Sequence, residues 1–406
     1  MALILTPGAL RALLLTVQGL DRPLEHTATK DDVLAAIRRM QALQIDTIHV
    51  VARSPYLVLW SRLGAYEPRW LTDLLAERAI FEYWSHEACF LPVEDYPIYR
   101  SLMLAGQTRS SGYARRWLHE NRAIAAALMD HIRANGAVRS TDFVRTDGKP
   151  GGWWNWKVEK MALEMLFIVG DLMIDRRENF QRVYDLRERV LPAWDDTRAP
   201  DVATAQRTLT LAAAQALGAA PARWLADYFR TGKAETTRIA AALAAEGALA
   251  TARVEGWREP VYIHPSNLPL AQAAAAGALR STVTTLLSPF DPVVWDRRRA
   301  LELSGFDYRI ECYTPAPKRR YGYFTLPILH RGALVGRLDP KAHRKDGIFE
   351  VKALYLEPGI APDEELATDL AAALRSCAAW HGTPEVMVRF CDPPAFGELL
   401  MRALRF

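Results

Sequence analysis

Gln44-Ile45-Asp46 sets a carboxylate and an amide two residues apart. The surrounding run, Leu43 to Ile48, alternates apolar and polar residues and reads as a short strand. Side chains on a strand alternate faces, so Gln44 and Asp46 would point the same way, about 6.5–7 Å apart, with Leu43 and Ile45 facing a core. Such a pair can hold one water, and the carboxylate can stabilise a developing positive charge. Glycosidic hydrolysis makes both demands, because its transition state resembles an oxocarbenium ion. Spacing alone does not separate this from an ordinary polar edge strand, since any Gln-x-Asp triplet meets the geometry.

Flanking elements would position the triplet. Thr29-Lys30-Asp31-Asp32 resembles a capping box, and Val33, Ile37 and Met40 follow at helical spacing, which predicts a helix ending near Gln41. Ser54-Pro55 reads as an N-cap followed by proline in the first turn of a helix that stops at Gly64. Two later stretches look like diverged copies of one unit. Each has a helix ending near a glycine (Gly136, Gly218), a short helix and a longer amphipathic helix. Each then has Gly-x-Leu (Gly170, Gly247) opening a hairpin that returns on Val-Tyr (Val183-Tyr184, Val261-Tyr262). Three helices followed by a two-stranded wing is the order of a winged helix, and the N-terminal stretch could be a third copy, with Phe81-Glu82-Tyr83-Trp84 in its wing. From Leu286 the texture turns β-rich, with YRIECYT, YGYFTLPIL, ALVGRLDP and GIFEVKALYLEP joined by the turns HRG and HRKDG. A helix from about 363 to 378, a strand at 385–390 and a docked last helix complete the chain. The expectation is an α+β fold of tandem winged-helix domains (1–100, 101–195 and 196–285) and a C-terminal antiparallel β-rich scaffold (286–406).

Composition narrows the class. Half of the 406 residues are hydrophobic, enough for several packed cores. The formal net charge of +4 permits a nucleic-acid partner without demanding one. Cys89, Cys312, Cys377 and Cys391 are far apart and show no zinc or disulfide spacing, which points to reduced thiols in a cytoplasmic protein. The apolar N-terminus is broken by Pro7, Gly8 and Arg11, a poor fit to a signal peptide, and no apolar run is long enough for a membrane span. No metal cluster and no cofactor motif is evident, and no Gly-x-Ser-x-Gly marks a serine hydrolase.

The segment LQIDTIHVVARSPYLVLWSRLGAY resembles the start of the winged-helix DNA glycosylases of crosslink repair, the YcaQ/AlkZ type. Three further blocks match in the same order: FEYWSHEACFLP, GGWWNWKVEKMALEMLFIVGDL, and the run from LLSPFDPVVWDRRR to LDPKAHRK. In that family a Gln-apolar-Asp or Gln-apolar-Gln triplet carries catalysis, and the Asp form here is closer to the YcaQ branch. The resemblance implies three winged helices on a β-rich scaffold. It also implies a monofunctional glycosylase acting on N7-alkylated guanine and on interstrand crosslinks, with Gln44 and Asp46 catalytic. The partner would be double-stranded DNA carrying alkylated or crosslinked purines, met by a monomer. The triplet lacks the amine needed for a Schiff base. The rival reading is a winged-helix DNA-binding regulator, which would leave the triplet idle.

Candidate DNA contacts follow from charge and position. His49, Arg53, Tyr56 and Arg62 lie just downstream of the triplet, and the two arginines would neutralise phosphates. His86 would touch sugar or phosphate, or else sit satisfied in a core. Trp153, Trp154, Lys157 and Lys160 open the long helix of the second repeat, where a recognition helix would lie, although tryptophans there could equally be packing residues. Arg297, Arg298, Lys318, Arg319 and Arg320 form the densest basic runs, and a solvated surface is the plain alternative for them.

Overall fold

The computed structural model describes residues 3–143 and 157–405. It is a mixed α+β structure whose contacts gather into two compact units: residues 1–67 with 210–406, and residues 68–209. These boundaries differ from the four segments expected from the repeats.

The first unit begins with the strand Leu3–Leu5 and the helix Pro7–Val17, capped by the Thr6 hydroxyl and burying Leu10, Leu13, Leu14, Leu15 and Val17. Thr29 and Asp32 close the anticipated capping box on the helix Lys30–Met40, whose buried face is Val33, Ala36, Ile37 and Met40. The helix Ser54–Leu63 stops at Gly64, as its sequence predicts, but starts one residue early. Arg53 takes the N-cap position without a side-chain cap, and the Ser54 hydroxyl instead bonds that of Ser288 at 2.7 Å.

Helix Val202–Leu217 crosses the boundary between the units in sequence. It is followed by the strand Ala219–Ala220, the helices Ala222–Tyr228 and Lys233–Ala245, and the strands Ala250–Val254 and Val261–Ile263. The returning strand pairs antiparallel with both of the others, and Leu3–Leu5 adds parallel to Ala250–Val254. In the second unit Arg122–Asn135, Val138–Arg139, Val158–Val169 and the hairpin Leu172–Glu178/Gln181–Leu186 follow the same order, and again the returning strand is central. Gly170 ends its helix at φ 85°, a left-handed conformation that favours glycine, and a Cβ there would also have to push aside the Met103 side chain. Glu82 is fully buried in this unit, held by Arg177 at 2.8 Å and by Arg182 at 2.5 Å. These two hairpin arginines therefore serve the interior.

The β-rich region differs from expectation in two ways. Strands Thr284–Leu286, Leu326–His330, Ala333–His343 and Ile348–Leu356 are antiparallel in sequence order. Glu385–Val388 and Cys391–Asp392, however, pair parallel with Ile348–Leu356, so the sheet is mixed. The helix Glu364–Trp380 supplies the crossover that a parallel return requires. The stretch Tyr308–Thr314, expected as a strand, is a loop. Its first aromatic is buried, with the Tyr308 hydroxyl donating to the Thr325 carbonyl at 2.5 Å, while Tyr313 is 89% exposed. The last helix, Pro394–Arg405, buries Phe396 and Leu400.

A buried ion pair joins the distant parts of the first unit. Arg62 Nη1 lies 2.6 Å from Asp291 Oδ2, with both side chains essentially inaccessible. The same guanidinium donates to the Gln18 carbonyl (2.9 Å) and the Val58 carbonyl (3.0 Å). Removing one partner of such a pair leaves an uncompensated buried charge and costs about 3–5 kcal/mol. Arg62→Met alone should therefore lower chemical-denaturation stability by that order. The Arg62→Met/Asp291→Leu double variant should recover much of the loss. Equal stability of Arg62→Met and the parent protein would show the pair to be dispensable.

Candidate active site

Gln44 ends the two-residue strand Leu43–Gln44 and is 6% exposed. Asp46 lies beyond the strand in an irregular segment, so the same-face strand geometry expected for the pair does not describe it. What fixes the carboxylate is local: Asp46 Oδ1 accepts from the Ile48 N–H at 2.8 Å, closing an Asx-type turn. Ile45 between them is buried, which anchors the segment to the core. Partial burial raises the Asp46 pKa, and the Ile48 hydrogen bond opposes the rise. Its charge is felt by Cys312, whose pKa is raised first by burial and then by Asp46, and by Tyr313, whose pKa is raised by burial, then by Cys312 and then by Asp46.

Those two residues belong to a loop with its own internal anchor. The Glu311 carboxylate accepts backbone N–H bonds from Arg320 (2.9 Å), Tyr321 (2.8 Å) and Gly322 (3.1 Å). Gly322 sits at φ 141° with its Cα against Asp339, where any Cβ would collide. Arg337 is 1% exposed and packs between Phe306 and Tyr321, with ring centroids 4.5 and 4.3 Å away. The loop is thus held by one carboxylate, one glycine and one buried cation–π cluster.

The other expected residues divide into distinct groups. His49 and Arg53 lie on the segment after the triplet, and Arg344 Nη2 donates to His49 Nε2 at 2.9 Å. Tyr56 is half-buried, and its carbonyl accepts from the Tyr66 hydroxyl at 3.2 Å. Lys318 and Arg320 are exposed, Arg320 over the Tyr321 ring at 4.7 Å, whereas Arg319 is half-buried and donates to the Thr314 carbonyl at 2.8 Å. Arg298 is exposed beside Glu302 at 2.8 Å. Arg297 donates to the carbonyls of Val294 and Pro289 and stacks on Tyr308. Arg62 is a correction: its donors are spent on Asp291 and backbone carbonyls, so it cannot also meet a phosphate. His86, in the second unit, is 2% exposed, which corrects the expectation of a surface contact. Lys157 there donates to the carbonyls of Ser140 (3.0 Å) and Phe143 (2.6 Å), and Lys160 is half-buried on the following helix. Trp153 and Trp154 lie outside the described residues.

Sequence reasoning missed Arg344 and Glu311. The first sat in a segment read only as a hairpin turn. The second sat in a segment read as a strand. Two concavities of about 380 and 390 Å3 in the first unit are lined by Arg62 and Leu63 among others, but by neither Gln44 nor Asp46.

A carboxylate held short of full exposure, two residues after a buried amide and with no arginine among the described residues spent on it, suits stabilisation of a sugar cation. The class this fits is a DNA glycosylase, and a family model described as "DNA glycosylase AlkZ-like" matches residues 37–380. The chain belongs to this AlkZ-like DNA glycosylase family. Among solved structures it is similar to Streptomyces sahachiroi DNA glycosylase AlkZ, at 17% identity, with 95% of this chain and 99% of that chain covered and a TM-score of 0.62. That likeness shows the shared fold.

The raised Asp46 pKa has a sign that can be tested. A carboxyl whose folded-state pKa lies above its unfolded value costs stability once ionised. The cost is absent below the unfolded pKa, grows as the pH rises to the folded one, and is complete above it. Asp46→Asn keeps an acceptor for the Ile48 N–H and removes the charge. Its Tm at pH 7.5 should equal or exceed that of the parent, and the difference should vanish at low pH. A lower Tm at pH 7.5 would mean that Asp46 stabilises the fold.

Proposed function

We propose that the chain is a monofunctional glycosylase that hydrolyses the N-glycosidic bond of N7-alkylated guanine in duplex DNA, including guanine tied into interstrand crosslinks, and leaves an abasic site. The observation that carries this reading is the half-buried Asp46 carboxylate two residues after the buried Gln44 in a chain of this family. Alkylation at N7 makes the base cationic and already a good leaving group, so little acid assistance is needed. Asp46, ionised, would stabilise the oxocarbenium ion and help position the attacking water. Gln44 would orient that water. The Gln-apolar-Asp form favours the YcaQ branch.

We read the repeated order of helix, strand, helices and hairpin as three winged helices. The first would open with Lys30–Met40, Leu43–Gln44 and Ser54–Leu63. The triplet would then fall at the end of that unit's first strand, at the duplex surface. An unhooking enzyme needs such an open position, because a base joined to the opposite strand cannot rotate into a deep pocket. The protein would act as a monomer in the nucleoid-bearing cytoplasm.

A duplex holding one N7-methylguanine, treated with alkali after incubation, tests the reading. The parent should yield strand cleavage only after alkali, and Asp46→Asn should bind the duplex equally but slow base release by at least about a hundredfold, the scale on which a single charge-stabilising group acts. Undiminished single-turnover release by Asp46→Asn would remove Asp46 from catalysis.

Salt dependence tests the loop anchored by Glu311. Each phosphate contact contributes roughly 0.9 to the slope of log affinity against log salt. Replacing Lys318 and Arg320, the exposed pair, should flatten the slope by up to about 1.8 in total. Arg319→Gln should change it less, since that side chain is already engaged. An unchanged slope in the Lys318/Arg320 variant would place the loop off the DNA path.

A further inference from the structure

His49 follows the triplet by three residues and is exposed. Arg344, from the end of the hairpin Ala333–His343/Ile348–Leu356, donates to His49 Nε2 at 2.9 Å and also donates to the Val51 carbonyl. The neighbouring Ala342 N–H donates to the Val50 carbonyl at 3.2 Å. The segment from His49 to Val51 is therefore laced to the hairpin by three hydrogen bonds.

Guanidinium has donors only, so Nε2 must supply the lone pair, and the single proton of the ring must sit on Nδ1. We infer that Arg344 is a positioning residue that holds His49 as the neutral Nδ1–H tautomer, so that the imidazole meets DNA beside the triplet as a hydrogen-bond donor to a phosphate or sugar oxygen. The inference rests on the catalytic assignment of Gln44 and Asp46.

The electrostatics agree with the geometry. Partial burial, then Arg344, then Arg53 bring the His49 pKa down to about 4. His381 also neighbours this group and is itself brought down to about 4 by burial and by Arg344. The groups facing His49 are thus two arginines and a second neutral imidazole. A neutral donor gives a contact whose strength does not change through the physiological pH range. A titrating imidazole would add and lose a charge there.

The tautomer can be read without substrate from long-range nitrogen–proton NMR spectra of the full chain labelled in histidine, with the His49 signal assigned by its loss in His49→Asn. The parent should show the neutral, Nδ1-protonated pattern from pH 8 down to pH 5. In Arg344→Met the signal should begin to titrate within that range. A parent His49 that carries its proton on Nε2, or that titrates within that range, would overturn the inference, and this readout stands whether or not base is released in the alkali assay.

Duplex affinity supplies the second readout. His49→Ala should weaken binding by about three- to tenfold, the worth of one hydrogen bond. His49→Asn, whose amide can donate from nearly the same place as Nδ1, should restore affinity to within about twofold of the parent. In Arg344→Met, affinity should strengthen as the pH falls, because His49 now gains charge. The His49→Asn/Arg344→Met double variant should lack that dependence. An affinity loss in Arg344→Met of one constant factor at every pH would mean a structural role alone. An unaltered affinity in His49→Ala would remove His49 from the DNA contact.

Discussion

The ion pair between Arg62 and Asp291 is the constraint on which the first unit depends. It joins residues separated by 229 positions, inside a core where neither charge reaches solvent. Buried pairs of this kind contribute little net stability relative to apolar replacements, but they penalise every arrangement in which one partner is missing. Here the arginine also holds the carbonyl of Gln18 at the C-terminus of the helix Pro7–Val17. Three segments therefore have one mutual placement: the N-terminal helix, the helix after the triplet, and the turn before Arg297. Asp291 is committed further, since its Oδ1 accepts the Val293 N–H at 2.9 Å. The triplet inherits its position from this lock, because the helix Ser54–Leu63 begins eight residues after Asp46.

A second anchor shapes the surroundings of Asp46. Glu311 gathers three consecutive backbone N–H groups, as an anion in a nest does, and fixes the path of the loop carrying Cys312 and Tyr313. The basic residues of that loop are sorted by the same geometry. Arg319 turns inward to the Thr314 carbonyl and the Tyr323 ring, while Lys318 and Arg320 stay in solvent. A run of three cations in sequence thus becomes two that can reach a phosphate and one that supports the loop.

Local signals were the legible ones. The capping box at Thr29, the stop at Gly64, the hairpin turns after His330 and His343, and the helix capped by Asp363 all lie where short-range rules put them. Errors came where a long-range partner decides. Ser54 gave up the N-cap role because Ser288 offered a partner from 234 residues away. Tyr308–Thr314 alternates like a strand, yet Glu311 is drawn into its nest and, among the described residues, no strand pairs with the segment. Arg62 reads as a surface cation until Asp291 is placed beside it. Gln44 and Asp46 were singled out through the resemblance of their surroundings. The turn at Asp46 was not, because nothing local says that the strand ends after Gln44.

The distribution of charge after the triplet follows from what each group must do. A carboxylate meant to face a transient sugar cation loses its purpose if an arginine neutralises it first, and such pairing would also pull its pKa down. The influences on Asp46 are burial and one backbone N–H. The cations that come next, Arg53 and Arg344, act on His49 instead. The cost of this separation falls on Asp46, whose charge is carried in partly desolvated surroundings without a paired cation among the described residues. In the proposed reaction the substrate would supply the missing positive charge, first on an alkylated base and then on the sugar, so the interaction would strengthen as the bond breaks and favour the transition state over the bound ground state.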